Sequence, residues 1–424
     1  MRVFYGWWIV AAGFVLQGLS GGLLLNAFGA YFVHLQSEFG WSRTAISAAP
    51  SMGRFETGII GPLQGWLIGR LGARAVIRIG VLLFGGGFMA LSLTNDLSQF
   101  YAAYLIVSLG SGLGGFLTIN IVLANWFERK RASAIGMSSL GQGIAGLATP
   151  LVALALNSYG WRATAFASGI VILLFGLPAA HFIRQAPEPY GLTPDGVPPS
   201  VRAARTRARD EQAPSFTGAG GLTAREALKT PAFWCLTLGH SAALAAVTAV
   251  LVHLIPYLVQ FMDLTLEVAS TVVPTITALS IVGQFLGAFG GDRLDKRLFA
   301  AACMGGHALA MVGLAFATSP ALVFICAAIH GLAWGARGPL MMSVRADYFG
   351  RRAFAAIEGF AAIVTMLGLV LGPLVVGILA DTLGDYRPGW LCLAGVCAAG
   401  ILLFWFAPKP RAPDLAGATA PSQS

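Results

Sequence analysis

Twelve long apolar stretches, divided six and six by one polar segment, constrain what this chain can fold into. A bilayer core is about 30 Å thick, and a helix needs about 20 apolar residues to cross it. Of the 424 residues, 56% are hydrophobic and 11% are charged, too few charges to cover a soluble protein of this length. The stretches are continuous rather than alternating, which favours helices over the strands of a membrane barrel. We therefore predict an all-α membrane protein.

The twelve helices are expected to form two pseudo-symmetric six-helix bundles. The first bundle is predicted to comprise residues 1–184 and the second residues 230–407. Residues 185–229 form a largely flexible linker between them, and residues 408–424 form a tail. Two such halves usually face each other across a transport path. The predicted spans are 6–33, 42–69, 75–94, 98–125, 132–156, 163–184, 231–261, 265–291, 298–317, 320–344, 353–379 and 389–407.

Several helix ends carry their own signals. Ser42 and Ser98 precede apolar stretches as N-caps do, because a serine oxygen accepts a free N–H of the first turn. Pro231 fits a first helical turn, where its missing N–H costs nothing. In the linker, Thr223 followed by Glu226 predicts a capping box and a short helix at the membrane surface.

The basic residues predict the orientation. With both termini in the cytoplasm, 22 of the 27 Lys and Arg lie on the cytoplasmic side, and only Arg43, Arg162 and Arg387 lie outside. Arg54 and Arg337 remain, both within spans. The net charge of +9 is thus explained by topology, and we expect no nucleic-acid partner. The prediction is a multi-pass protein of the bacterial inner (plasma) membrane.

Two loops resemble a signature of the major facilitator superfamily, Gly-X3-Asp-Arg-X-Gly-X-Arg. The first reads Gly65-Trp-Leu-Ile-Gly69-Arg70-Leu-Gly72-Ala-Arg74, with Gly69 in place of the family's Asp. The second reads Gly291-Asp292-Arg293-Leu-Asp295-Lys296-Arg297. The resemblance implies that these loops lock the cytoplasmic ends of the halves in the outward-facing state, with Asp292 docked near Arg131. The implied gating residues are Gly65, Arg70, Gly72, Arg74, Asp292 and Arg293.

Further motifs are similar to the bacterial branch near monocarboxylate transporters and oxalate/formate antiporters. That branch implies a secondary transporter of a small organic anion, a monocarboxylate, by alternating access, with proton coupling left open. Animal monocarboxylate transporters have an Asp and an Arg where this chain has Ser280 and Gln284, so their mechanism does not carry over. The motifs are Tyr5-Gly6-Trp7-Trp8, Trp126-Phe127, Tyr159-Gly160-Trp161-Arg162, Asp347-Tyr348-Phe349-Gly350, and Gly372-Pro373 with Gly377 and Asp381.

Charges inside a span cost several kcal/mol unless paired or hydrated, and so mark candidate sites. We predict that Arg337 binds the anion through its guanidinium fork, the alternative being a structural pair. Arg54 and Glu56 lie about 200° apart around one helix, so one is expected to face the cavity and the other the eleventh helix. Glu56 is a candidate for proton coupling or for a structural pair.

Uncharged polar residues complete the predicted substrate site. In the superfamily, helices one, four, seven and ten line the cavity, which favours Asn26, Asn120 and Tyr257 beside Arg337. His253 and Gln284 are further candidates, although any single Asn or His can instead bridge helices.

Two other functions stay open. Efflux of amphipathic drug-like compounds is favoured by the pair Met341-Met342 and the many Phe residues; a non-transporting sensor would use the linker. We expect no enzyme, because no catalytic constellation is found, and neither a cofactor nor a metal, because the His spacing does not fit one. The five cysteines are interpreted as buried small hydrophobes. The expected partners are the anion, lipid and possible coupling protons, with the protein monomeric.

Overall fold

A computed structural model of the chain describes residues 4–128, 130–196, 222–291, 293–350 and 353–410. Within them, ten helical segments are long and apolar enough to cross a membrane. One of them, Ser133–Phe182, has 50 residues and is broken at Gly160, whose φ of 79° glycine adopts without strain, so it holds two spans. The twelfth is Arg43–Leu71, whose charged residues lower its hydropathy. The predicted twelve helices are therefore confirmed.

The N-terminal half holds six helices, and several are irregular. The first contains a π-helical segment, the fourth stops and restarts around Gly115, and the fifth contains a 3-10 turn. The helices are α1 (Gly6–Leu19, the π-helix Ser20–Asn26 and Phe28–Phe39), α2 (Arg43–Leu71), α3 (Ala73–Ser92), α4 (Leu97–Gly114 and Phe116–Trp126), α5 (Arg131–Ile144, Ala145–Ala148 and residues 149–159) and α6 (residues 161–182). The segment Thr149–Phe182 is divided between α5 and α6 at Gly160.

The C-terminal half repeats this order. Only its second helix is interrupted, and a short helix, Ala224–Leu228, precedes the half. The helices are α7 (Pro231–Phe261), α8 (Leu266–Ser270 and Val272–Gly291), α9 (Lys296–Ala315), α10 (Pro320–Phe349), α11 (Phe354–Leu383) and α12 (Arg387–Trp405).

Helix packing follows the duplication. α1 packs on α5 as α7 packs on α11, and α3 packs on α4 and α6 as α9 packs on α10 and α12. Glycines permit the closest approaches: Gly141 of α5 lies against the Phe14 carbonyl of α1, and Gly368 of α11 against the Ser241 carbonyl of α7, with no room for a Cβ. Small residues at such crossings allow the van der Waals contact that associates helices in lipid.

Most of the predicted helix starts are confirmed. Ser42 accepts from the Ala45 N–H at 3.1 Å, Pro231 stands in the first turn of α7, and Thr223 and Glu226 form the capping box. The prediction for Ser98 is wrong. Asp96 caps α4 instead, accepting from the Gln99 N–H at 2.9 Å, so the helix starts at Leu97 and Ser98 lies in its first turn, where its hydroxyl donates to the Asp96 carboxylate.

The two halves are joined at the side of the bundle away from the termini, which we call the far side. Asp381 at the end of α11 accepts from the backbone N–H groups of Arg43 and Thr44 at 2.9 and 2.8 Å and from the Thr44 hydroxyl at 2.7 Å. The Arg43 guanidinium lies 3.6 Å from the same carboxylate and also donates to Gln260 of α7. We call Arg43, Thr44 and Asp381 the far-side latch.

The opposite side, the terminal side, is open between the halves. Among the described residues, every side-chain hydrogen bond and ion pair between the halves lies in the far-side half of the helices, the deepest being Ser51 to the Val370 carbonyl at 2.8 Å. A Cβ added at any of three glycines on this side would meet no neighbouring atom within 4 Å. These are Gly65 of α2, Gly136 of α5 and Gly359 of α11. In the part of the chain that the structure describes, the halves are thus held together on the far side and not by side-chain bonds on the terminal side.

The described ends of the linker are held by the bundles. Asp195 accepts from the Glu128 N–H at 3.1 Å, and the Arg184 guanidinium lies between the rings of Tyr5 and Tyr190. On the other side of the linker, the Leu222 N–H donates to the Phe349 carbonyl. Residues 197–221, where we predicted most of the flexibility, lie outside the described residues.

Loss of the latch charge should open the far side. Asp381→Asn removes the ion pair and weakens three hydrogen bonds to a carboxylate, each contributing about 1.5–3 kcal/mol. We expect the population open on the far side to rise at least tenfold. The measurement is pulsed electron resonance between spin labels at Tyr159 and Leu383, which are exposed on opposite halves, with the native cysteines replaced. Asp385→Asn is the control, because the bond described for Asp385, accepted from the Arg387 N–H, lies within its own half. Equal distance distributions in both variants would contradict the latch.

Candidate functional site

A cavity of about 200 Å³ runs along the N-terminal half and adjoins a smaller one, of about 40 Å³, shared by both halves. Arg54 of α2 and Tyr104 of α4 line both, with Leu24, Leu25 and Pro50. The wall from the C-terminal half is mostly apolar and consists of Thr248, Leu251, Val252, Leu369 and Pro373. The larger cavity adds amides and hydroxyls of the N-terminal half: Gln17, Ser20, Gln64, Ser108, Ser111 and Gln142.

Arg54 is the cation of this central cavity. Its side chain is partly exposed to the cavity, and no acid among the described residues pairs with it. Tyr104 lies beside it, and the described chain gives the Tyr104 hydroxyl no hydrogen bond. A guanidinium at mid-membrane with no protein anion is suited to a ligand carboxylate in two-bond contact.

Glu56 lies on a different face of α2 from Arg54, as the spacing predicts. It faces α4 rather than α11, so that part of the prediction is wrong: it lines a small cavity with Ser108, Leu109 and Leu113. The reason is that α2 packs on α4 within its own half as well as on α11. Its Oε2 atom is buried without a hydrogen-bond partner in the described chain. Ser108 also lines the central cavity and thus separates Glu56 from it.

Arg337 does not line either cavity. Its side chain is 1% exposed and contacts Nδ1 of His240 on α7, in a region where Cys303 of α9, Cys397 of α12 and Arg345 are close enough to interact with its charge. Glycines 331 and 335 of the same helix pack on α8, which turns Arg337 into the C-terminal half. The predicted anion contact of Arg337 is not supported in this conformation.

His253 and Tyr257 of α7 are also away from the cavity. His253 is fully buried, and its Nε2 donates to the Pro373 carbonyl of α11 at 2.8 Å and lies 3.0 Å from the Ser47 hydroxyl of α2. Since Nε2 carries the proton, Nδ1 accepts from the Tyr386 hydroxyl at 3.2 Å. His253 thus bridges the halves below the far-side latch. Tyr257 donates to the Leu314 carbonyl of α9 within its own half.

The remaining predicted substrate residues are dispersed. Asn26 is buried at the end of the π-helix, where its amide donates to the Gly21 carbonyl at 2.7 Å and replaces a helical hydrogen bond. Asn120 of α4 has a buried Oδ1 with no partner among the described residues. Gln284 is exposed on α8. None of the three lines the cavities around Arg54.

The predicted gating residues sit at open helix ends. Arg74 donates to the Ile183 carbonyl at 2.7 Å, and the Arg70 guanidinium covers the ring of Trp66, both within the N-terminal half. Gly72 has φ 78° and separates α2 from α3. Gly65 and Arg293 are exposed. Asp292 lies outside the described residues, so its implied contact near Arg131 at the start of α5 stays a prediction.

Sequence reasoning missed most of the central cavity. Tyr104, Ser108 and Ser111 follow one another at spacings of four and three, so they share one face of α4, and that hydroxyl row is the signal that could have found them. Of the features that favour drug efflux, Met341 is 2% exposed and lines neither cavity, the Met342 side chain lies outside the described residues, and Phe28 and Phe116 do line the cavities.

Truncation of Arg337 tests whether this buried guanidinium is structural. Arg337→Ala removes a fully buried side chain and leaves His240 without its donor, so we expect a loss of about 2–5 kcal/mol. The thermal midpoint of the purified protein, followed by circular dichroism, should fall. An unchanged thermal midpoint would contradict a structural role for Arg337.

The comparisons with known proteins agree with this architecture. The family model described as Major Facilitator Superfamily matches residues 23–320 and 255–423. Monocarboxylate transporter 11 of Homo sapiens is 26% identical, covering 96% of this chain and 83% of that protein; monocarboxylate transporter 13 of Rattus norvegicus is 25% identical, covering 93% and 87%.

Solved structures share the fold at low identity. The nucleoside transporter NupG has a TM-score of 0.75 at 13% identity, covering 95% of this chain and 99% of that one. A D-xylose-proton symporter has a TM-score of 0.70 at 14% identity, covering 95% and 97%. The chain is therefore a multi-pass membrane protein and a secondary transporter rather than an enzyme, and it belongs to the major facilitator superfamily.

Proposed function

We propose that this transporter carries a small monocarboxylate by alternating access and binds the carboxylate with Arg54. The observation that carries the proposal is the position of Arg54: it lines the cavity where the walls of both halves meet, and no described acid neutralises it. An anion entering the cavity therefore gains a charge-assisted contact that the protein itself leaves open.

The two walls of the cavity favour one charge and an apolar remainder. Tyr104 and Ser108 surround Arg54 from the N-terminal half, whereas Leu251, Val252 and Leu369 face it from the other half. A second carboxylate would meet an apolar wall and lose its hydration without a partner. The similarity to monocarboxylate transporters over most of the chain supports the same substrate class.

Orientation follows from the loop charges. With 22 basic residues on the terminal side against three on the far side, we place both termini in the cytoplasm, for a bacterial chain at the inner membrane. The conformation closed on the far side is then inward-open. Alternation would require the far-side latch to break and the terminal side to close around the bound anion.

The charge of Arg54 is the test of the anion site. Arg54→Gln should raise the KM for radiolabelled pyruvate at least tenfold or abolish uptake into proteoliposomes, because the contact to a charged group is lost. Arg54→Lys should retain part of the activity, since it keeps the charge but not the planar fork.

Arg345→Gln is the matched control, because Arg345 already pairs with Glu358 at 2.7 Å, away from the cavity. Uptake equal to wild type in Arg54→Gln would refute the anion site. If both variants lose uptake to the same degree, the loss would reflect removal of any buried charge rather than of a specific anion contact at Arg54.

Glu56 is proposed as the proton-coupling group. It lies on the other side of Ser108 from the cavity and has a buried oxygen without a described partner, so a proton could be held there and released as the anion binds. Glu56→Gln mimics the protonated form. We expect it to lose accumulation driven by a pH gradient while keeping exchange of labelled for unlabelled pyruvate. Gradient-driven accumulation that survives in Glu56→Gln would exclude this role.

A further inference from the structure

The fourth helix is interrupted beside the central cavity. α4 stops at Gly114, and Gly115 has φ −104° and ψ −140°, so the chain turns out of the helix before it restarts at Phe116. Two of the carbonyl groups at this break have side-chain partners: Gly112 accepts from Gln64 at 3.0 Å, and Leu113 accepts from the Thr118 hydroxyl at 2.8 Å.

The donor side of the break is left open. The restarted helix, Phe116–Trp126, has eleven residues, and no side chain caps its N-terminus. The first N–H groups of a helix have no partner within it and carry the positive end of the helix dipole. Gly115, Phe116 and Leu117 line the same cavity as Arg54. The Phe116 and Leu117 N–H groups, to which the described chain gives no hydrogen bond, thus lie beside the cavity.

A buried amide also points to a ligand here. Gln17 of α1 lines the cavity, is 2% exposed, and donates to the Ser138 hydroxyl at 2.8 Å, which leaves its other amide atom, Oε1, without a partner in the described chain. If the amide is turned over, Oε1 accepts the Ser138 hydroxyl proton and Nε2 becomes the atom without a partner, a donor instead of an acceptor. In either orientation, one polar atom of Gln17 is unsatisfied.

Gln17 lies at the level of the break. The hydroxyls of Ser20 and Ser111 are 2.5 Å apart and fix the register of α1 against α4. The two helices run in opposite directions, so Gln17, three residues before Ser20, is level with Gly114, three residues after Ser111. The unpartnered amide and the open helix start therefore belong to one place.

This place is separate from Arg54. Ser108 packs directly on Gly53, the neighbour of Arg54. Phe116 is eight residues further along α4, which is about 12 Å of helix. The two positions are therefore about two helical turns apart along α4.

We propose that the α4 break is a second anion subsite, at which the N–H groups of Phe116 and Leu117 and the Gln17 amide hold a small carboxylate between Arg54 and the terminal-side opening. Backbone donors at a helix start bind a carboxylate without adding a second fixed charge to the membrane interior. An anion can then leave Arg54 in a short step rather than into an apolar space. The identity of the ligand rests on the proposed function, but the subsite itself does not depend on Arg54.

The experiment observes the Leu117 N–H directly. The dipeptide Phe-Leu occurs twice in the chain, at 116–117 and 285–286. In full-length protein with ¹³C-carbonyl Phe and ¹⁵N Leu, a carbonyl-filtered NMR spectrum shows the amides of Leu117 and Leu286 alone. We expect acetate to shift the Leu117 signal saturably and to leave Leu286 unmoved, while neutral acetamide moves neither.

Two variants separate the subsites. Gln17→Met should weaken acetate binding at Leu117 about tenfold, whereas Arg54→Gln should leave that binding within about twofold of wild type. A Leu117 signal that does not respond to acetate, or that moves only together with Leu286, would overturn the proposal. Loss of the shift in Arg54→Gln would overturn it as well, by showing a single site. Normal acetate binding at Leu117 combined with unimpaired pyruvate uptake by Arg54→Gln would refute the Arg54 site and leave the break subsite standing.

Discussion

The Arg54 guanidinium, to which the described chain gives no acidic partner, is the constraint on which the rest of this structure depends. The bilayer interior offers little water, so a cation there must be paired, hydrated or held against a cavity. Arg345 is paired with Glu358, and Arg337 is enclosed with His240. Arg54 is held against the cavity, and the hydroxyls and amides of the N-terminal half make that position tolerable. The asymmetry between a polar and an apolar wall follows from keeping this one charge hydrated.

Irregular backbone is concentrated around the same charge. α1 contains a π-helix at Ser20–Asn26, α4 breaks at Gly115, and α5 tightens into a 3-10 turn at Ala145–Ala148, next to Asn26. Each irregularity frees backbone groups, which lipid does not allow unless they face protein or water. Asn26 and Gln64 satisfy some of these groups with side chains. The donors left over at the α4 break therefore lie where water or a ligand reaches them.

The sequence is informative about length and local chemistry and less so about helix rotation. Apolar run length predicted twelve helices, because bilayer thickness acts on each helix separately. Ser42 and Thr223 were predicted correctly as caps, since a cap depends on residues three apart. The sequence favours Arg337 over Arg54 as the anion-binding residue, but both are arginines near mid-span, and only the packing of Gly331 and Gly335 on α8 turns Arg337 inward. For the same reason His253 was assigned to the substrate, although its partners Ser47, Pro373 and Tyr386 come from three distant segments.

The two interfaces between the halves are related by the duplication but are not equivalent. On the far side, Asp381 of α11 binds the start of α2 through a guanidinium, a hydroxyl and two backbone N–H groups, whereas the corresponding contact joins Asn157 of α5 to Glu267 of α8 through one amide. On the terminal side, the acidic residue belongs to the other interface. The α2–α3 loop has Gly69 where the family has an acid, and the α8–α9 loop keeps Asp292. If Asp292 docks on α5 as the resemblance implies, the α2–α11 interface is strong at the far end and the α5–α8 interface at the terminal end. Each conformation would then be held mainly by one interface, so breaking one latch does not weaken the other. The halves can therefore exchange one strong contact for another instead of losing two together.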